Sequence, residues 1–141
     1  MKTMRLLLLL ILAVAMARRA AAEGADAELI AKITGLKPDV KNGIAKISVP
    51  RGDLGAVIDG AKMQPFQGLT SWAAFQAAGD KTIVMGDMTL TEPQVNPTMS
   101  AALDNGLEVT ALHNHFFFDR PRVFFMHIGG VVRTCLKYLA L

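Results

Sequence analysis

The alternation of apolar and polar residues along the chain predicts a protein rich in half-buried β-strands. Residues 44–49 alternate strictly, as a strand does when one of its faces is buried. Residues 69–76 and 81–90 are two longer runs, and the Ala-Ala-Gly-Asp turn between them predicts a hairpin. The remaining predicted strands lie within residues 54–60, 107–117 and 122–130.

Helical spacing of apolar residues is confined to fewer segments. Residues 26–34 predict a short helix that ends at Gly35, and residues 131–141 are compatible with a terminal helix. The Asn42-Gly43 pair predicts a turn before the first strand.

A further helix is predicted after residue 90, with two alternative starts. Thr91 and Gln94 have the spacing of a capping box, with Pro93 in the first turn, where the missing N–H costs little. The Asn96-Pro97 pair offers the second start, for a helix over residues 97–104.

The order of these elements predicts the fold class. A helix, four strands, a helix and two strands follow one another, and the connections are short. Short connections favour antiparallel pairing, with helices packed on one face of the sheet. We therefore expect an α+β fold, with an antiparallel sheet of about six strands and two or three helices on one face.

The first 22 residues predict a secretory signal peptide. Lys2 and Arg5 precede an unbroken apolar run of 12 residues, which is short for a bilayer span but fits a signal. Cleavage after Ala17 or after Ala22 fits the small residues that follow, and an uncleaved amphipathic anchor is the alternative. We expect one domain over residues 23–141, periplasmic or secreted, with no membrane span after cleavage.

The basic charge of the chain belongs mostly to this leader. Of 15 basic residues, four precede residue 23, whereas none of the 12 acidic residues does. The predicted mature domain carries 11 basic and 12 acidic residues, so its charge gives no support for nucleic-acid binding. Cys135 is the only cysteine, which excludes an internal disulfide.

The three histidines of the chain lie within 15 positions, in a run of Phe, Val and Met. His113 and His115 are two residues apart, so on a strand both point to one face. If the connecting loop is centred on Arg120, His113 lies opposite His127, and three imidazoles share one patch. A one-residue slip would turn His127 to the other face.

Three imidazoles on one face predict a site for a metal ion or a small ligand. Zinc accepts three protein nitrogens and a water molecule, and copper or iron would also accept imidazole. A nearby carboxylate would complete the set, and the candidates are Asp87, Glu92 and Asp119. No motif indicates an activated nucleophile, so no catalytic residue is assigned and enzymatic activity stays undetermined.

Two other interpretations of the histidines remain open. The five phenylalanines of residues 116–125 form a core, so the imidazoles could be core residues of a structural or protein-interaction module. A pH-sensing patch is the third option, since imidazole titrates near neutrality. Arg120 and Arg122 flank Pro121 at the predicted loop; they could hold an anion, although a solvated turn is the simpler interpretation.

Four segments of the chain resemble the LppY/LpqO family of exported bacterial proteins, whose function is uncharacterised. They read VPRGDLGAVIDG, GLTSWAAF, VMGDMTLTEPQVNPTMSAALDNGLEVTALHNH and RPRVFFMHIGG. The resemblance covers roughly residues 33–130, and its most specific part contains the three histidines. It implies an exported domain to which the histidine pattern belongs, but it implies no activity.

The chain departs from that family pattern in two ways. The resemblance implies two tandem copies of the unit, and the chain has one. After Gly130 the family continues through a polar turn into a helix rich in Leu and Ala, whereas here residues 131–141 differ and end the chain. A truncated or frameshifted reading frame would explain both, as would a half-length homologue. We expect a homodimer or a second domain copy to cover the sheet edge or face that a single copy leaves exposed.

Overall fold

The structure is a computed structural model that describes residues 25–133. The predicted signal over residues 1–22 and residues 134–141 of the predicted terminal helix lie outside the described residues. Residues 25–133 contain two helices, α1 (Ala27–Thr34) and α2 (Glu92–Asp104). The described part of the chain also contains nine strands: β1 (Asp39–Lys41), β2 (Ile44–Pro50), β3 (Val57–Ile58), β4 (Ala61–Lys62), β5 (Thr70–Ala78), β6 (Lys81–Thr91), β7 (Glu108–His113), β8 (Asp119–Arg120) and β9 (Val123–Arg133).

Local signals begin both helices and end α1. The Asp26 side chain accepts a hydrogen bond from the backbone N–H of Leu29, and Gly35 ends α1 in the left-handed conformation. At α2 the capping box forms, with the Gln94 side chain accepting from the N–H of Thr91 at 3.0 Å. The alternative start at Pro97 is wrong, because Pro97 lies inside α2.

Six strands form an open antiparallel sheet in the order β1-β2-β5-β6-β9-β7. The predicted hairpin of β5 and β6 is confirmed, with Trp72 opposite Asp87 and Ala78 opposite Lys81. The predicted turn at Asn42-Gly43 also forms, and it joins β2 to β1, a strand that the sequence did not predict. Residues 131–133 continue β9, so the predicted terminal helix does not begin there.

Both helices pack against one face of this sheet. Ile30 of α1, and Val95 and Ala102 of α2, are buried in the same cluster as the inward side chains of the strands. The strand residues of this cluster are Ala45, Phe75, Val84, Leu90, Met126 and Ile128. The protein is thus mostly antiparallel sheet with two helices in its described part, which agrees with α+β only in the coarse sense. Within residues 25–133, no helix is long and apolar enough to span a bilayer.

A second sheet of three short strands, in the order β4-β3-β8, was not predicted as a separate unit. A second buried cluster, Ala56, Leu69, Val123 and Phe125, lies beside it. Val123 and Phe125 alternate along β9 with residues of the helix-side core, so they point to the opposite face. A second core therefore lies beside the small sheet, on the face of the main sheet that the helices do not cover.

Candidate functional site

The candidate site begins with His127, on a strand inside the main sheet. Because β9 lies between β6 and β7, His127 has a partner on each side: Asp87 on β6 and Ala111 on β7. Directly paired residues point to the same face. His127 alternates with Met126 and Ile128, which are buried in the helix-side core. The imidazole therefore points to the face away from the helices.

A β-bulge at Thr110 places His113 on that same face. Before the bulge, Glu108 pairs with Gly129 and Val109 with Ile128. After it, Ala111 pairs with His127 and His113 with Phe125. If the register before the bulge continued along β7, with Thr110 paired in the ladder, His113 would pair with Phe124 and point to the helix side. Bulges change which face a side chain reaches in this way.

The predicted register is wrong by two residues, which preserves the face of every side chain. His113 lies opposite Phe125 and not opposite His127. His115 lies beyond the end of β7, so the predicted strand over residues 107–117 is too long. Its ring nevertheless stacks on Phe125, with centroids 3.5 Å apart and planes 5° apart. Phe125 is 1% exposed, and it is a supporting residue that the sequence did not single out.

The three imidazoles form a contiguous group. Nε2 of His113 and Nε2 of His115 are 3.1 Å apart. The ring centroid of His113 is 5.1 Å from that of His115 and 4.9 Å from that of His127. A tetrahedral zinc ion holds two ligand nitrogens about 3.3 Å apart, and the centroids of two imidazoles about 5 Å apart. The spacing of these rings is therefore compatible with a shared metal ion.

Asp87 adds a carboxylate to the group. Its Oδ2 lies 3.6 Å from Nε2 of His127, and its side chain is 23% exposed. Its Oδ1 is buried, and no hydrogen-bond donor within residues 25–133 reaches it. A buried carboxylate oxygen without a donor or a cation is costly. This oxygen is therefore available to a ligand.

The other two predicted carboxylates lie elsewhere. Oδ2 of Asp119 accepts a hydrogen bond from the N–H of Val123 at 2.7 Å and so holds the turn before β9. Glu92 is an exposed residue in the first turn of α2, the helix that packs on the opposite face of the sheet. Within the described part of the chain, neither carboxylate makes a hydrogen bond or an ion pair with a histidine.

The environment of His115 favours its neutral form. Burial lowers the pKa of His115 below the ordinary value of 6.5. The charge of a protonated His113 lowers it further, while the Asp87 carboxylate acts in the opposite direction. An imidazole must be neutral to bind a metal ion. The shift therefore favours the form that a metal site requires.

The donor atoms are close together but are not arranged around one point. Among residues 25–133, no group of three or more His, Cys, Asp or Glu side chains has its donors positioned to hold a metal ion. His113 and His115 are tilted by 33°, and His113 meets His127 edge to face at 88°. Side-chain rotations would be needed to aim all three rings at one ion.

An open pocket of about 330 Å³ adjoins the histidine group at His115. Asn114, Phe116, Phe117 and Arg122 form the rest of its lining. The Asn114 side chain donates a hydrogen bond to the carbonyl of Val123 at 2.8 Å and so ties the loop to β9. Three consecutive phenylalanines follow His115, so the alternation of apolar and polar residues stops there. This break in alternation is the signal that could have marked the segment after His113 as a loop and not a strand.

The family of the chain follows from a match that covers most of its length. The sequence model described as Domain of Unknown Function (DUF1259) matches residues 28–135. The chain belongs to this family. No curated protein and no solved structure matches it. The DUF1259 match includes all three histidines, Asp87 and the pocket residues, so the whole candidate site lies inside the family domain.

Proposed function

We propose that this DUF1259 domain binds one divalent transition metal ion, zinc in the first place, through His113, His115 and His127. The 3.1 Å separation of Nε2 in His113 and His115 carries the proposal, because it is close to the spacing of two nitrogens on one zinc ion. Copper and iron are alternatives, since both accept imidazole.

Asp87 has one of two roles in this proposal. It is either the fourth ligand or the acceptor that orients the His127 ring, which is 3.6 Å away. Its buried Oδ1, which has no donor among the described residues, favours the first role, because a metal ion would compensate the charge. Three or four protein ligands leave at least one position for water or a small ligand.

The burial of the histidines does not favour the structural alternative. His115 and His127 are exposed, and the His127 side chain keeps 46% of its surface accessible. Exposed imidazoles contribute little to a hydrophobic core.

A close contact between two imidazole nitrogens is also compatible with a proton shared between them. This shared proton is the main alternative to a metal ion at the histidine group.

The LppY/LpqO resemblance and the N-terminal pattern extend the proposal to location. The domain would be exported to the periplasm or secreted, after cleavage of residues 1–22. N-terminal sequencing of exported protein tests this point independently of the metal. An intact Met1 on exported protein would contradict cleavage.

Elemental analysis of protein purified without a histidine tag tests the metal site. After incubation with zinc, copper and iron salts and removal of the excess, we expect about one equivalent of metal per chain. His113→Ala and His127→Ala should each lose most of it, since each removes a ligand. Glu92→Gln is the matched control and should keep it.

The result also has a clear negative form. Wild-type protein that stays metal-free with all three salts would rule the proposal out. X-ray absorption at the zinc edge adds a direct check, since imidazole ligands lie about 2.0 to 2.1 Å from zinc. A spectrum explained by sulfur ligands or by water ligands alone would also rule out the proposal.

A further inference from the structure

The pocket beside His115 has the size and composition of a small-molecule site. Its volume, about 330 Å³, lies at the lower end of the range for ligand pockets, roughly 300 to 1,000 Å³. Two phenylalanines, one histidine, one asparagine and one arginine line it. Ligand pockets typically combine apolar walls with a few polar groups in this way.

The charge in the pocket comes from Arg122. Among residues 25–133, no carboxylate lies within ion-pair distance of its guanidinium. A guanidinium presents a flat set of donors that matches a carboxylate with two parallel hydrogen bonds. An unpaired arginine in a pocket therefore favours an anionic ligand over a neutral one.

The apolar walls are flat, and two of them are held in place. The His115 ring is stacked on Phe125 at 3.5 Å, and Phe116 packs against the buried cluster that contains Phe125. Phe117 is 90% exposed, although it lies next to Phe116 in the pocket wall. When a ligand ring covers exposed aromatic surface of this kind, the burial of that surface stabilises the complex.

We propose that this pocket binds a small carboxylate that carries an aromatic or similarly flat apolar group. The carboxylate pairs with Arg122, and the flat group packs against Phe117 and Phe116. His115 belongs both to this pocket and to the histidine group. The bound molecule would thus lie beside the metal ion, and this part of the inference rests on the proposed function. The pocket itself needs no metal ion.

Benzoate is the probe, with two analogues that separate charge from shape. Benzamide has the same ring without the charge, and acetate has the charge without the ring. Calorimetric titration of the full chain should show benzoate binding at least tenfold more tightly than either analogue. Equal affinity for benzoate and acetate would refute the contribution of the apolar wall to binding. Equal affinity for benzoate and benzamide would refute the role of Arg122.

The loop supplies a matched control for each pocket residue. Arg122→Gln should weaken benzoate binding at least tenfold, whereas Arg120→Gln, a neighbouring cation outside the lining, should change it less than twofold. Phe117→Ala should weaken binding severalfold, and Phe118→Ala, also exposed and outside the lining, should not. Equal losses in both members of a pair would indicate general charge or surface effects and overturn the inference.

Titrations with metal-free and zinc-loaded protein separate this inference from the metal proposal. Binding that depends on Arg122 in protein that takes up no metal would keep the pocket and reject the metal site. Protein that holds zinc but binds no benzoate in either state would keep the metal site and reject the pocket. Binding that occurs only with zinc and ignores Arg122→Gln would show that the carboxylate binds the metal alone, which also rejects the pocket.

Discussion

At the scale of single residues, Asp87 is the best indicator that a ligand binds at the histidine group. The sequence offered three carboxylates, and the structure places one of them opposite His127. Its Oδ1 is buried without a donor in the described part of the chain, which a purely structural aspartate rarely tolerates. The residue is therefore the most direct single test of the site.

Asp87→Asn should weaken zinc binding about 10- to 100-fold, because the amide keeps the shape of the side chain but loses the charge. A competition titration against a chelating dye measures the affinity. The melting temperature of the metal-free variant should not fall, which separates a ligand role from a structural one. Unchanged zinc affinity would remove Asp87 from the site.

Gly86, next to Asp87 on β6, tests the packing beneath the site. A Cβ atom there would lie 2.9 Å from the carbonyl oxygen of Trp72 and 3.0 Å from Cγ1 of Ile128. Backbone cannot move aside cheaply, so Gly86→Ala should destabilise the domain by about 1 to 3 kcal/mol. Urea denaturation measures this. Gly52→Ala, whose Cβ would meet only Pro65 at 3.5 Å, is the control and should cost much less.

At the scale of elements, the bulge in β7 decides whether the site exists. Hydrophobic alternation alone would continue the pairing of Glu108 with Gly129 to the end of the strand. Thr110 interrupts it, and its hydroxyl lies 3.5 Å from the carbonyl oxygen of His127. The residues after the bulge change faces, which brings His113 to His127.

Insertion of one alanine between Ala111 and Leu112 should therefore abolish metal binding while the strand still pairs, because it shifts His113 by one position along β9. His113 would point to the helix side, opposite Phe124, and the imidazole group would lose a member. Elemental analysis measures the metal, and circular dichroism checks that the sheet remains. Thr110→Ala leaves the register of β7 unchanged and should keep the metal. An insertion variant with full metal content would show that the register after the bulge does not control the site.

At the scale of the whole molecule, the two faces of the main sheet are unequally covered. Helices α1 and α2 cover one face, and the small sheet accompanies a second core on part of the other. On that second face, the paired strands leave Ile44, Met85 and Val131 exposed, and Met85 retains 52% of its surface. Exposed apolar residues on one face are typical of an interaction surface.

The expected homodimer stays a prediction, and this face is where it would form. Sedimentation equilibrium of purified protein should show a dimer at micromolar concentration. Met85→Lys should shift it to monomer, because a charge would be buried without a partner. Leu103→Lys, at an exposed position of α2 on the opposite side, should leave the dimer intact. A monomeric wild type would mean that the face stands open in solution.

Local signals explain which parts of the fold were predictable. The Asp26 and Gly35 ends of α1, the Asn42-Gly43 turn and the capping box of α2 depend on residues next to one another. The strands β1, β3, β4 and β8 are two or three residues long and carry too little alternation to be recognised. Among these four strands, the pairing of β3 with β8 joins segments distant in the sequence, whereas β1 and β4 pair with strands next to them in the chain.

The sequence by itself determined the histidine group and its neighbouring strands, because period-two alternation and turn chemistry are local properties. Only the tertiary structure decided which face each imidazole reaches. That depended on the bulge at Thr110, on the placement of β9 between β6 and β7, and on the stacking of His115 on Phe125. Each depends on how one segment pairs or packs with another, and alternation within one strand carries no information about the register between two strands.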